Sequence, residues 1–339
     1  MNKSRVAKWD NVKFLLILLV VVGHVADLYT KNSHVLAAIR FYIYIFHMPA
    51  FIFVSGLMSK KTIDNKNWRK IGSYVLLYFA VKFLLFAFGS VAKNNYTLTL
   101  FRESGVPWFM IALFFMNAIT IYTKKFKPSW VLGISLVLSF FAGYGNEQGN
   151  FLAYLRVINF YPYFYLGYII DPQKLLEKLD KLSIRIFSAI FLAASFAICW
   201  LLIDKILGLQ PLLSGQNFYS SLGDYAPIGG FLRMGVFFAG LIMTLMLISI
   251  TPKSKNVFTR FGERTLAIYA THYCLIYILF YWLDIKTIIQ AALPHYWPII
   301  LILIGCIITF VCGNKLFDKG FKALSNYDNK RIKSIEEKS

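Results

Sequence analysis

Apolar runs about as long as a bilayer is thick recur from residue 13 to residue 317, and no long polar insert separates them. A helix needs about 20 consecutive apolar residues to cross the hydrocarbon core, because each residue advances it by only about 1.5 Å. In lipid the backbone must satisfy its own hydrogen bonds, so a chain built of such runs folds as a bundle of helices. Composition agrees: 58% of the residues are hydrophobic and only 15% charged, against roughly 45–50% and 25% in soluble domains. The expectation is an all-α polytopic membrane protein, with one bundle over residues 1–320 and a polar, solvated tail over residues 321–339.

Ten spans are expected, at about 13–30, 37–58, 71–90, 107–123, 129–144, 151–170, 184–203, 226–250, 264–283 and 297–317. Pro162 should kink or split the sixth. Alternate loops differ in charge. Lys60, Lys61, Lys66, Arg69 and Lys70 follow the second span, and further basic clusters follow the fourth, sixth, eighth and tenth. The loops between them offer little beyond Lys31, Lys93, Arg102, Lys205 and Lys286. An excess of lysine and arginine marks the cytoplasmic side, so both termini of this multi-pass cell-membrane protein are expected there. The net charge of +20 is thereby accounted for by topology signals, and a nucleic-acid partner is rejected. The basic start, Lys3, Arg5 and Lys8, lacks a cleavage site before the apolar run and reads as the head of the first span. Cys199, Cys274, Cys306 and Cys312 lie in apolar segments without metal-type spacing and read as small hydrophobes.

Within the first span Asp10, Lys13, His24 and Asp27 fall on one side. Lys13 and His24 differ by only about 20° in direction and stand roughly 16 Å apart along the axis. Ionisable groups at such depth are costly in lipid and face a bundle interior or a wet cavity, which makes this stripe a candidate site. A histidine packed on a neighbour's backbone is the structural alternative. The second span reads Phe46-His47-Met48-Pro49 and continues to Ser55-Gly56. Pro49 frees a carbonyl one turn earlier, and a bend there lined by His47 makes a cavity wall; Ser55 and Gly56 permit close helix approach. Lys66, Arg69 and Lys70 would attract a phosphate-rich ligand, though the same charges also serve as topology signals. Trp108 reads as an interfacial anchor, Arg156, Arg233 and Lys82 as side chains snorkelling outward, and His272 as a packing residue or a site residue. No Ser-His-Asp arrangement, metal-ligand spacing or Gly-rich phosphate loop is present, and a buried base must come from the few histidines.

On these residues the chain resembles the membrane-bound acyltransferase 3 family, and within it the fucose 4-O-acetylase-like group. The likeness rests on Asp10, Lys13 and Gly23-His24, and on the Phe46-His47-Met48-Pro49 to Ser55-Gly56 run. Weaker matches are Trp108-Phe109, Arg156 with Phe160-Tyr161-Pro162-Tyr163-Phe164, and Ile268-Tyr269 with His272. The family commonly has arginine where Lys13 stands, and its Arg-x-x-Arg pair is met by Lys66 and Arg69. The resemblance implies transfer of an acyl group, usually acetyl from cytoplasmic acetyl-CoA, onto a hydroxyl of a surface glycan or its lipid-linked precursor. It further implies His24 as general base or covalent acyl relay, with His47 a further catalytic candidate; by its position one turn along the helix, Asp27 is expected to orient the His24 imidazole. Lys13, Lys66, Arg69 and Lys70 would meet the donor, and Asp10, Trp108, Arg156 and His272 the substrate. The competing class is a carrier or exporter whose buried histidines relay protons.

Overall fold

The computed structural model describes residues 7–92, 97–103, 105–145 and 150–325, with side chains to 321; Lys3, Arg5, Lys93, Lys330 and Arg331 lie outside these ranges. Among the described residues the chain is helical and has no strand, only a single bridge between Arg102 and Phe151. The first four helices are α1 (Ala7–Asp27), α2 (His34–Asp64), α3 (Trp68–Ala92) and α4 (Trp108–Thr123). Then follow α5 (Pro128–Phe141), α6 (Tyr154–Ile169), α7 (Pro172–Leu179), α8 (Leu182–Ile206) and the short α9 (Gln210–Leu213). The last are α10 (Gly229–Ile250), α11 (Thr259–Gly262), α12 (Thr265–Ile276), α13 (Ile285–Ala292), α14 (Trp297–Cys312) and α15 (Lys315–Ser325). A π-helical stretch, Tyr277–Trp282, continues α12.

Every expected span is helical over most of its length, but the helices are of two kinds. Six segments are long and apolar enough to cross a bilayer, and a seventh is added if α14 and the start of α15, bent by 62°, count as one. The remaining three, α4, α5 and α6, hold 16, 14 and 16 residues. At about 1.5 Å per residue these reach only about 21–24 Å, short of the roughly 30 Å of a hydrocarbon core. A 3-10 turn, Ala142–Tyr144, extends α5, and only for α6 does the expected window, 151–170, outrun the helix, by the flanking apolar residues Phe151, Leu152, Ala153 and Ile170.

The helix α2 is the hub. At 31 residues it outreaches a bilayer core, and it packs against α1, α4, α6, α8 and α10. Its first turn is capped by Ser33, whose hydroxyl accepts from the Leu36 N–H at 3.4 Å. The closest crossing is with α6. There Gly56 faces the Phe164 carbonyl and Gly167 faces the Phe53 carbonyl, so a Cβ on either would collide with the opposite backbone. Pro49 and Pro162 both lie inside helices that continue through them, α2 and α6, so the sixth span is not split. The Ile45 carbonyl that Pro49 leaves without its helical donor faces α10 at Gly240, where an added Cβ would stand 2.9 Å from it. By contrast α8 buries only Ser188, Cys199 and Ile203 and turns Ile186, Phe187, Ile190, Ile198 and Leu201 outward, as a lipid-facing helix does.

At the basic end of the bundle α1 is latched. Buried Lys8 pairs with Asp180, which follows α7, and Lys253 reaches the same carboxylate at 2.9 Å. Asn11 donates from Nδ2 to the Pro252 and Ser254 carbonyls, 3.0 Å each. Burial alone would raise the Asp180 carboxyl, but the hydrogen bonds and charges of Lys8 and Lys253 outweigh it and hold the group below its ordinary range.

Candidate active site

The histidines predicted from α1, α2 and α12 come together. The half-buried His24 ring stacks on His272 with centroids 5.5 Å apart and planes at 23°, and Tyr273 meets it edge-on at 5.2 Å. Its Nδ1 lies 3.4 Å from the Tyr44 hydroxyl, and Tyr44 in turn packs on His47 at 4.7 Å. His47 and His272 are buried, and their Nδ1 atoms face the Ile43 and Ile268 carbonyls at 2.8 and 2.9 Å. A carbonyl only accepts, so each of these Nδ1 atoms carries the proton and each Nε2 presents the lone pair. The His272 Nε2 is buried without a hydrogen-bond partner among the described residues.

Two cavities share a wall made of His24, Met48, Val106 and Trp108. The first, about 250 Å³, extends from that wall to Lys13 near the start of α1, Ser59 near the end of α2, and Lys70 and Tyr74 near the start of α3. Those element ends carry the basic clusters. The second, about 150 Å³, runs the other way, to Asp27 at the end of α1, Arg40 near the start of α2, Arg156 near the start of α6, and the Leu213 to Gln216 loop. Because α1 and α2 run antiparallel, the two chambers open toward opposite ends of the bundle with the His24 ring between them.

The chambers differ in how their charges are held. In the basic-end chamber the Lys13 ammonium is 2.7 Å from the Asp10 carboxylate, one turn away on α1. Lys70 lines this chamber, whereas Lys66, just before α3, and Arg69, in its first turn, are exposed and line neither chamber. In the opposite chamber Asp27 does not reach the His24 imidazole. Its carboxylate accepts from Arg40 Nε at 2.7 Å, and the Arg40 guanidinium lies 3.8 Å over the Tyr44 ring. Arg156 does not snorkel: it is buried, its guanidinium 4.6 Å over the Trp108 ring, its Nε donating to the Ser214 carbonyl at 3.2 Å and its Nη1 to the Glu103 carbonyl at 3.4 Å. Arg233 is buried as well and donates to the Leu212 carbonyl at 2.5 Å, while Asn159 holds the Gly215 carbonyl at 3.0 Å. Three side chains thus staple the Leu212 to Gly215 loop as a roof. Gly215 sits at φ +70°, with Phe160 where a Cβ would go, so the turn admits no side chain. Lys82 is also buried, paired with Glu103, whose carboxylate accepts from the Tyr78 hydroxyl at 2.5 Å. Trp108 lines both chambers and stacks on Phe160 at 5.7 Å, an interior position and not that of an interfacial anchor.

Arg40, Tyr44, Tyr273 and Gln216 are lining residues to which the sequence assigned no role, and Met48 and Tyr269, which stand in its motifs, line the chambers as well. For the α2 residues the signal was present: Arg40, Tyr44, His47, Met48, Phe51 and Ser55 follow one another at helical spacing and share a face. For Gln216 no local pattern existed, because its place depends on the stapled roof.

The arrangement holds two chambers, an imidazole at their junction and cations at either end, which suits moving a group between ligands that enter from opposite sides. A family profile described as an acyltransferase domain matches residues 6–313, a stretch that contains every residue of both chambers. No curated protein and no solved structure matches the chain.

Proposed function

Since the chain belongs to the membrane-bound acyltransferase 3 family, we propose that it transfers acetyl from cytoplasmic acetyl-CoA to a hydroxyl of a cell-surface glycan or its lipid-linked precursor, as the fucose 4-O-acetylase-like group does. The observation that carries this reading is the shared wall: His24 borders both chambers. In the proposed topology ten segments cross the membrane, short α4, α5 and α6 included, and both termini are cytoplasmic. The alternation of basic loops supports it, as does the position of Lys13 and Lys70 on one chamber only.

The polyanionic donor meets Lys13, Lys70 and, at the surface, Lys66 and Arg69, and threads its acyl arm toward His24. The acceptor enters from the roofed side. His24 takes the proton of the attacking hydroxyl as its oxygen bonds to the thioester carbon; the C–S bond breaks and the thiolate leaves to the donor side. Tyr44, against Nδ1, orients the ring, and the neighbouring Nε2 lone pair of His47 offers a second base on the acceptor side. A covalent acyl-imidazole on His24 is the other route by which the same position works, and label retained on the protein after mixing with donor alone would select it. The carrier reading is not favoured by the family.

The test is acetyl transfer by purified protein from labelled acetyl-CoA to candidate glycans. Lys13→Ala and Lys70→Ala should raise the acetyl-CoA concentration required, while Lys13→Arg keeps activity. Unchanged coenzyme A binding in both alanine variants would reduce these residues to topology signals.

A further inference from the structure

The roofed chamber carries a guanidinium that stands outside any ion pair among the described residues. Of its two guanidiniums, Arg40 is neutralised by Asp27 at 2.7 Å. Arg156 has no carboxylate in ion-pair reach among the described residues, although its side chain is more than nine-tenths buried. Glu103, beside it, bonds it through the backbone carbonyl, while the Glu103 carboxylate bonds Lys82 and Tyr78. Nε and Nη1 of Arg156 bond carbonyls and the flat face covers Trp108, so Nη2 is left without a hydrogen-bond partner among the described residues. Burying an unpaired cation in a bundle is costly unless something of opposite charge joins it. Beside it, the buried Oε1 of Gln216 also lacks a partner, an orphaned acceptor of the kind a hydroxyl satisfies.

We propose that the acceptor of this transferase is anionic: a saccharide whose carboxylate or phosphate docks on Arg156 while a ring hydroxyl donates to Gln216. The proposal rests on the transfer reading for the word acceptor, but not for the site itself. A neutral sugar would leave Arg156 desolvated and unpaired in the complex, so the site discriminates by charge before chemistry begins. Guanidinium suits the task because it offers a planar fork to either anion.

Binding, read apart from turnover, tests this. Dissociation constants of glucuronate, glucose 1-phosphate and neutral glucose are measured by ligand-observed NMR on the detergent-purified full chain, its Arg156→Gln and Arg156→Lys variants, and a Gln216→Leu variant. The expected result is that at least one anionic sugar binds at least tenfold more tightly than glucose; which one does so distinguishes a carboxylate from a phosphate source. Arg156→Gln should weaken that ligand by about ten- to a hundredfold, the span of a charge-assisted hydrogen bond, Arg156→Lys should restore part of the loss, and Gln216→Leu should weaken all three sugars alike. Inorganic phosphate should compete with the anionic sugar in the parent and not in Arg156→Gln. The proposal is overturned if neither anion binds better than glucose, or if Arg156→Gln leaves the affinity intact. Absence of acetyl transfer by the parent, with anion binding and its dependence on Arg156 as expected, would overturn the transfer reading and leave this site standing.

Discussion

His24 is the side chain whose loss should be felt most and should disturb the fold least, because it is half-buried and lines open space on both sides. His24→Ala should lower transfer by about 10²–10⁴-fold, the usual reach of general-base catalysis, with the melting temperature in detergent close to the parent's. Near-normal transfer by the folded variant would move the base to His47. His47→Ala and His272→Ala should give graded losses together with lowered melting temperatures, since both rings fill buried space and bond a carbonyl of their own helix. The polar stripe of α1 was legible in the sequence, for eleven residues from Lys13 to His24 bring a helix round to nearly the same direction. The partner of Asp27 was not legible. Proximity along α1 suggested the imidazole, yet the carboxylate bonds Arg40, 13 residues on across the turn between two helices. Arg156 was misjudged for a related reason. Snorkelling is what an arginine near a helix end does when nothing holds it, and what holds this one is a loop 58 residues away.

Between helices the two glycines at the α2–α6 crossing leave no room for a side chain. Gly56→Ala and Gly167→Ala should each destabilise by about 1–3 kcal/mol through overpacking. The double variant should fall short of the sum, because both changes push apart the same crossing. Gly72→Ala in α3 and Gly133→Ala in α5 have open space around them and should be neutral or slightly stabilising. Thermal unfolding of the five proteins against the parent checks this, and equal shifts at all four single sites would refute the crossing as a special contact. The sequence marked one half of it: Ser55-Gly56 reads as a place where helices come close. That the other half is Gly167 emerges only once α6 is laid on α2. The short helix α6 shows the opposite limit, since hydropathy counts apolar residues such as Phe151 and Leu152 whether or not they are wound into the helix.

The assembled bundle can be probed at its ends. Cysteines introduced at Asn65 and at Asp224, both exposed, should be labelled by an impermeant reagent only from the cytoplasmic and only from the outer side, respectively; labelling of both from one side would sink the proposed topology. The latch at Asp180 has a pH signature. Its carboxyl is held below its ordinary value of about 3.9, so the latch contributes fully above that value and is lost as pH falls through the lower, folded-state value. Asp180→Asn should therefore melt earlier than the parent at neutral pH and converge with it in acid; parallel curves would show that the latch adds nothing. The wall of His24, Met48, Val106 and Trp108 has one more duty. A voltage across a membrane does about 2.3 kcal/mol of work on each elementary charge per 100 mV, and two chambers back to back offer a charge most of a path across. Those four side chains are its insulation: Met48→Gly in proteoliposomes should let protons leak under an imposed potential, and a bilayer kept as tight as the parent's would show that the seal lies elsewhere.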